Sequence, residues 1–310
     1  MGWTARSIPD QSGRTAVVTG ANSGLGYVTA RELARRGARV VLACRDETRG
    51  RAALTRLRRE LPEAQAELRL LDLADLTSVR RFAGELPHER IDLLVNNAGL
   101  MAVPFARTAD GFEMQFGVNH LGHFALTGLL LERLRAAPAP RVVAVSSLAH
   151  FLSGVDLDDP NYRRRRGYRP MRAYGASKTA NLLFVRQLAR RAARDTAAFG
   201  QLTAAAAHPG FADTELQARG PRLAGHAVRA RVARRATAAL GTTADQGAAP
   251  TLYAATAPQV RPDDFVGPSV LGLRGGPGRS WRASWARSDA AAHELWVLSE
   301  QLTGVTCPGR

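Results

Sequence analysis

Tyr174-Gly175-Ala176-Ser177-Lys178 sets a phenol and an ammonium four residues apart, which on a helix is one face. That pair can move a proton. Free tyrosine ionises near ~10, too high for a proton shuttle at neutrality, and a neighbouring cation favours the tyrosinate. Lys178 is therefore expected to lower the Tyr174 pKa, and the chemistry this suits is proton delivery to a carbonyl oxygen as it becomes an alkoxide. Tyr-x-x-x-Lys often arises by chance on helices. Composition sharpens it here, because Lys178 is the only lysine among 43 basic residues and all the others are arginine. A chain that uses arginine wherever charge suffices has kept one lysine where a planar guanidinium would not serve.

Other candidates surround this pair. Ser146-Ser147 closes an apolar run, and a hydroxyl there could stabilise charge developing on a substrate oxygen. Asn119 lies within a helical pattern, where an asparagine otherwise marks a kink or cap. Thr19-Gly20-Ala21-Asn22-Ser23-Gly24-Leu25-Gly26 follows the first apolar run directly. Its glycines would let backbone amides approach a pyrophosphate, which the N-terminus of the next helix attracts. The spacing differs from Gly-x-Gly-x-x-Gly. The second apolar run ends in Ala43-Cys44-Arg45-Asp46. NAD-binding folds usually put a carboxylate at that strand end for the ribose 2′-hydroxyl. Here Cys44 stands in that place and Arg45 follows, suited to the 2′-phosphate of NADP, whereas a register shift of two would restore an acid at Asp46.

The elements that would position these groups alternate along the chain. Strands are expected at Thr15–Val18, Val40–Ala43, Leu68–Leu71, Leu93–Val95, Val142–Val145 and Leu202–Ala207. Helices are expected over 25–36, 47–61, 76–86, 112–134 and 173–194, with another running from the Thr243/Gln246 capping box towards Ala255. Apolar strands separated by helices mean a parallel sheet covered on both faces, with ligands at the carboxyl ends of the strands. The fold class expected is α/β: a single doubly wound Rossmann-type domain spanning 1–310. Two stretches break the rhythm, a polar loop over 148–172 and an arginine- and alanine-rich segment over 212–241. Both are candidate substrate walls or lids.

In this order the motifs resemble the short-chain dehydrogenase/reductase family, over residues 14–303. Arg39 to Arg45, Ser146 to His150 and Glu294-Leu295-Trp296 make the chain most similar to retinol-dehydrogenase-like soluble reductases. The resemblance implies a cofactor cradle at Gly20, Asn22, Ser23, Gly24, Leu25 and Gly26, with Arg45 on the ribose phosphate. It implies adenine contacts at Asp72 and Leu73, and further cofactor contacts at Asn97, Ala98 and Gly99. Ser147 becomes the catalytic serine, with Ser146 the alternative, and Asn119 would hold a water near the lysine. Tyr174 and Lys178 would serve both catalysis and cofactor binding. Pro209 and Gly210 would flank the nicotinamide carboxamide, with Thr214 following. His208 reads as a structural histidine rather than an acid or base. The chain departs from the family in lacking the membrane-anchoring helix of many retinol enzymes, and in a longer Ser147 to Tyr174 interval that suggests a reshaped substrate pocket.

Composition limits the alternatives. Hydrophobic residues are 45% and charged residues 23% of 310, which suits a soluble globular protein. No apolar run reaches the roughly 18 residues of a bilayer span, and no secretory signal is visible. Cys44 and Cys307 are the only cysteines and form neither a disulfide framework nor a metal site. The cytoplasm is the expected compartment, and no metal is expected. The net charge of +16 raises the question of nucleic acid, but arginine is dispersed. The one dense run, Arg163 to Arg166, follows Asp156, Asp158 and Asp159, and no recognition motif accompanies it. The expected activity is NADP(H)-dependent interconversion of a small-molecule carbonyl and an alcohol. A catalytically silent NADP(H)-binding regulator is the alternative, opposed by the complete Asn119, Ser147, Tyr174 and Lys178 set, and homo-oligomerisation stays open.

Overall fold

Alternation of apolar residues decides which face of each strand meets which helices. The computed structural model describes residues 2–163, 167–210 and 243–307. Its strands are β1 Thr15–Thr19, β2 Arg39–Cys44, β3 Ala66–Leu70, β4 Leu93–Asn96, β5 Arg141–Val145, β6 Thr203–Ala207, β7 Phe265–Val270 and β8 Arg274–Arg279. They form one sheet in the order β3-β2-β1-β4-β5-β6-β7-β8, parallel except for the antiparallel β7–β8 pair. Val17, Val41, Leu94 and Val142 point to one face and pack with Phe82, Phe124 and Leu182. Ala16, Val18, Val40 and Leu42 point to the other and pack with Val28, Leu33, Leu57 and Leu252. The expected doubly wound α/β fold is present, and the chain reverses its direction of travel across the sheet between β1 and β4. A crevice opens beyond the carboxyl ends at such a reversal.

The first helices, α1 Gly24–Arg35, α2 Glu47–Glu60 and α3 Leu76–Glu85, agree with expectation to within two residues. Asp46 and Asp75 cap the latter two, accepting from Arg49 N at 2.9 Å and Thr77 N at 2.8 Å. The single helix expected over 112–134 is corrected. It divides into α4 Met114–Phe116, a π-helical turn Gly117–Leu121, α5 Gly122–Leu129 and α6 Leu131–Arg135. A π turn adds one residue to the helical circuit and re-aims the side chains within it. Asn119 is one of those.

The polar loop expected over 148–172 is also more ordered than its composition suggests. Leu148–Leu152 forms a 3-10 turn, and α7 Pro170–Arg194 begins with Pro170 in the first turn, where a missing N–H is harmless. Tyr168 reaches from this segment to the buried Glu113 carboxylate at 3.0 Å, which also caps α4 by accepting from Gln115 N and Phe116 N. Short α8 Thr196–Phe199 precedes β6. α9 Ala244–Thr256 starts with the expected Thr243/Gln246 capping box. The segment 212–241 and Arg164 to Arg166 lie outside the described residues. Among the described residues, no helix is long and apolar enough to cross a membrane.

Besides the single turn of α8, periodicity missed β7, β8 and the last helix, α10 Asp289–Thr303. Gly267 and Pro268 interrupt β7, and β8 reads Arg-Gly-Gly-Pro-Gly-Arg, chemistry that ordinarily marks a loop and survives here at a sheet edge. α10 lies on α7 and buries Trp296, which stacks on Phe184 at 5.9 Å and meets Phe124 edge-on at 5.0 Å. Trp296→Ala should therefore cost about 3–5 kcal/mol, since it empties a fully packed aromatic site. Urea unfolding of the two proteins measures this, and a loss below about 1 kcal/mol would mean that α10 is peripheral to the core.

Candidate active site

Thr19, the last residue of β1, is fully buried, and its hydroxyl joins the two turns that open the crevice. It accepts from Asn97 N and Ala98 N, both at 2.9 Å, while Asn97 Nδ2 donates to Thr19 O at 2.7 Å. The glycine turn after β1 is thereby bound to the Asn97–Gly99 turn after β4. A side chain at Gly26 would collide with Gly20 O and the Asn97 amide, so only glycine allows this approach. His123 completes the floor. Its Nδ1 faces Asn119 O at 3.1 Å, an atom that only accepts, so Nδ1 carries the proton and Nε2 accepts from Thr19 Oγ1 at 2.9 Å. Burial holds this imidazole near a pKa of about 3, in keeping with the neutral ring that the network needs.

A cavity of about 260 Å³ runs along the carboxyl edge of the sheet. Gly20, Asn22, Ser23, Gly24, Leu25 and Gly26 line one part of it, at the N-terminus of α1. Arg45 lines the end at β2, joined by Asp46 and Arg49. Asp46 spends its carboxylate on the cap of α2, and Cys44 is buried in β2 with its thiol pushed up to about 12. Asp72 and Leu73 line the wall after β3, and Asn97, Ala98 and Gly99 the wall after β4. Ser147, Tyr174, Lys178, Pro209 and Gly210 line the far end.

That far end holds the candidate proton-transfer group. Tyr174 and Lys178 are buried on the same face of α7, with the lysine nitrogen 5.7 Å from the centre of the tyrosine ring. Ser147 lines the same end of the cavity, and its hydroxyl favours the ionised phenol. Lys178 Nζ donates to Val145 O at 3.0 Å, and Ser146 Oγ donates to Lys178 O at 2.8 Å, so the end of β5 holds both the side chain and the backbone of the lysine. Asn119 Oδ1 accepts from Leu100 N at 2.8 Å, and its Nδ2 donates to Leu100 O at 2.9 Å and to Ser177 Oγ at 2.8 Å. Its side chain thus ties the loop after β4 to α7.

One expectation is corrected. Burial pushes the Tyr174 phenol up to about 12, with the Ser147 hydrogen bond pulling the other way, and burial draws Lys178 down to about 8. Removal from water is the first cause of both shifts, because desolvation penalises each charged form.

The sequence-derived residues converge on one cavity, apart from Asn119, which stands behind it, and Thr214, which lies outside the described residues. Sequence reasoning passed over Thr19, Arg49 and His123. Thr19 was in view as the start of the glycine motif. Arg49 is one turn into α2 from Arg45, and His123 is one turn beyond Asn119, so helical spacing was the available signal for both.

Comparison with known proteins agrees with this geometry. A family model described as short chain dehydrogenase matches residues 14–158. Retinol dehydrogenase 13 of Homo sapiens is 41% identical over 298 residues, covering 96% of this chain and 86% of that protein. The chain belongs to the short-chain dehydrogenase family and is an oxidoreductase of that family. Within it, the chain is retinol-dehydrogenase-like. A crystal structure of an uncharacterised protein from Mycobacterium paratuberculosis is 48% identical with a TM-score of 0.81, over 99% of this chain and 100% of that one. A short chain dehydrogenase from Shigella flexneri, solved in complex with NADP, is 25% identical with a TM-score of 0.53, over 67% and 82% of the respective chains.

The Lys178 shift predicts a pH dependence. The unfolded chain holds this proton up to the ordinary value of 10.5 and the folded chain only to about 8. Between those values the unfolded state binds more protons, so the lysine's contribution to stability rises with pH. Lys178→Met should lack that rise. Urea melts of both proteins at about pH 7.5 and about pH 10 make the comparison, and parallel responses would show that the ammonium is not desolvated.

Proposed function

We propose that this chain is an NADP(H)-dependent reductase or dehydrogenase that interconverts a carbonyl and an alcohol, with Tyr174 as the general acid and base. One observation carries the reading. A phenol with Lys178 one helical turn on and the Ser147 hydroxyl at the same end lines the same cavity as a glycine turn at a helix N-terminus. The cavity's donor set suits a dinucleotide: backbone amides and a helix N-terminus at Gly20–Gly26 for the pyrophosphate, and cations at Arg45 and Arg49 for a ribose phosphate. Asp72 and Leu73 would flank the adenine, Asn97, Ala98 and Gly99 the adjoining ribose and phosphates, and Pro209, Gly210 and Thr214 the nicotinamide side. When bound, the cofactor supplies or accepts a hydride at its nicotinamide.

This chain's own groups handle the proton. In the reducing direction, the Tyr174 hydroxyl gives its proton to the substrate oxygen, which becomes the alcohol hydroxyl. The Ser147 hydroxyl donates a hydrogen bond to the same oxygen as charge develops. The phenolate left on Tyr174 is stabilised by the Lys178 ammonium, whose depressed pKa also equips it to pass a proton on. Gly99, without a side chain, leaves room for the Lys178 nitrogen and the Asn119 amide to meet at the loop after β4. The likeness to retinol dehydrogenases supports alcohol and carbonyl chemistry, and the NADP found with the Shigella protein supports the cofactor. A silent cofactor-binding regulator would have no need of a buried lysine and tyrosine side by side.

Tyr174→Phe should abolish turnover, by at least about a hundredfold, and leave NADPH affinity within about threefold of the parent, since only the proton donor is lost. A carbonyl and alcohol panel followed by NADPH absorbance supplies the substrate, and near-parent rates from the variant would remove Tyr174 as the acid. The parent should also bind NADPH more tightly than NADH, and Arg45→Ala should narrow the gap by about tenfold while leaving NADH unchanged. Fluorescence titration measures both, and equal affinities in the parent would contradict the assignment of NADP(H).

A further inference from the structure

Two buried histidines outside the proton-transfer group stand at the edge of the cavity, and each makes hydrogen bonds that assign its proton. His150 Nδ1 faces Ser147 O at 2.7 Å, a carbonyl that only accepts, so this nitrogen carries the hydrogen. Its Nε2 accepts from Ala283 N at 3.2 Å. His208 is arranged the opposite way. Its Nδ1 accepts from Gly210 N at 3.2 Å, which leaves the hydrogen on Nε2, 2.7 Å from Ser280 Oγ. Both rings pack on Phe265, at 5.5 Å and 5.0 Å between centres. A side chain at Gly267 would collide with the His208 ring, so β7 is shaped to admit it.

Both histidines therefore tie a turn of the cavity to one short strap, residues 280–283, that follows β8. His150 holds the turn bearing Ser147, and His208 holds Pro209–Gly210. The strap is itself anchored: Arg282 donates to Asp263 Oδ1 and Asp263 O, both at 2.6 Å, and Asp263 Oδ2 accepts from Arg186 of α7 at 2.8 Å. Trp285 Nε1 and Thr179 Oγ1 of α7 add bonds to His150 O, at 3.0 Å and 3.2 Å. The serine turn, the Pro-Gly turn and the helix bearing Tyr174 and Lys178 are thus referred to one support.

We propose that His150 and His208 are paired positioning residues, neutral and of opposite tautomer, which hold the Ser147 turn and the Pro209–Gly210 turn in register through the 280–283 strap. The proposal rests on the dehydrogenase reading above for what the two turns contact, and it gives them separate consequences. His208 governs the cofactor side and His150 the substrate-oxygen side.

Long-range proton–nitrogen correlation spectra of histidine-labelled protein test the geometry. At pH 7, His150 should be protonated at Nδ1 alone and His208 at Nε2 alone, each assigned by its His→Ala variant. A reversed or doubly protonated ring would overturn the proposal, whatever the enzyme's activity. Binding and turnover test the consequence. His208→Ala should weaken NADPH binding about tenfold, and His208→Asn, whose side-chain oxygen can still accept from Gly210 N, should recover most of it. His150→Ala should instead lower kcat about tenfold on the substrate found by the panel, with NADPH affinity within about threefold of the parent. Equal effects of the two alanine variants on affinity and kcat would mean a general loosening and sink the paired roles. If the parent fails to bind NADPH, the dehydrogenase reading fails, and the tautomers still judge the geometry.

Discussion

The close approach of two backbone turns, with Thr19 between them, is the constraint on which the rest of the cavity depends. A hydroxyl at the end of β1 accepts two amide hydrogens from the turn after β4, and an asparagine amide returns the bond. This works only with a bare Cα at Gly26, because any side chain there would displace Gly20 or Asn97. The glycine turn and the Asn97–Gly99 turn are consequently one rigid body at the point where the chain reverses across the sheet. Asn119 and His123, on either side of the π turn's end, extend that body to α7 through Ser177 and back to Thr19. The floor of the cofactor cavity and the helix of the proton-transfer pair share one hydrogen-bond network.

Burial sets the chemistry on that framework. Tyr174 is pushed up and Lys178 down, so desolvation draws the phenol and the amine towards their neutral forms. The ordinary values of the two groups lie close together and burial drives them apart, so the proton stays on the phenol until a developing alkoxide takes it. The same low polarity explains the buried histidines. A neutral imidazole offers one donor and one acceptor at fixed angles, and each ring here spans two backbone or hydroxyl partners without bringing charge into the core. His120 is the incomplete case, with Nε2 on Ser299 Oγ and its Nδ1 without a partner.

The abundant arginine belongs to a different layer. Many of these side chains are spent on the surface in local pairs such as Arg51–Glu47 and Arg56–Glu60, exposed contacts worth little to stability. A few are structural, and Arg186 and Arg282 on Asp263 support the strap beside the cavity. Arg45 and Arg49 differ in lining the cavity itself.

Local order in the sequence determined the alternation of β1 to β6 with their helices, the glycine turn after β1, and the Tyr174–Lys178 spacing, because each depends on residues within one or two turns of one another. What only the tertiary structure decided lies where distant residues compete for one partner. The π turn at Gly117–Leu121 sets Asn119 where it bonds Leu100 and Ser177 together, and no helical period encodes that. β8, at the sheet edge, and the end of β7 beyond its pairing with β6 at Phe265 and Val266 hold glycine and proline because each leaves one side of the backbone unpaired within the sheet, which composition reads as loop. The Tyr174 phenol goes up rather than down because of burial, a property of the whole fold. Spacing along a helix could place the two groups together, but the dielectric around them is made by residues from the entire chain.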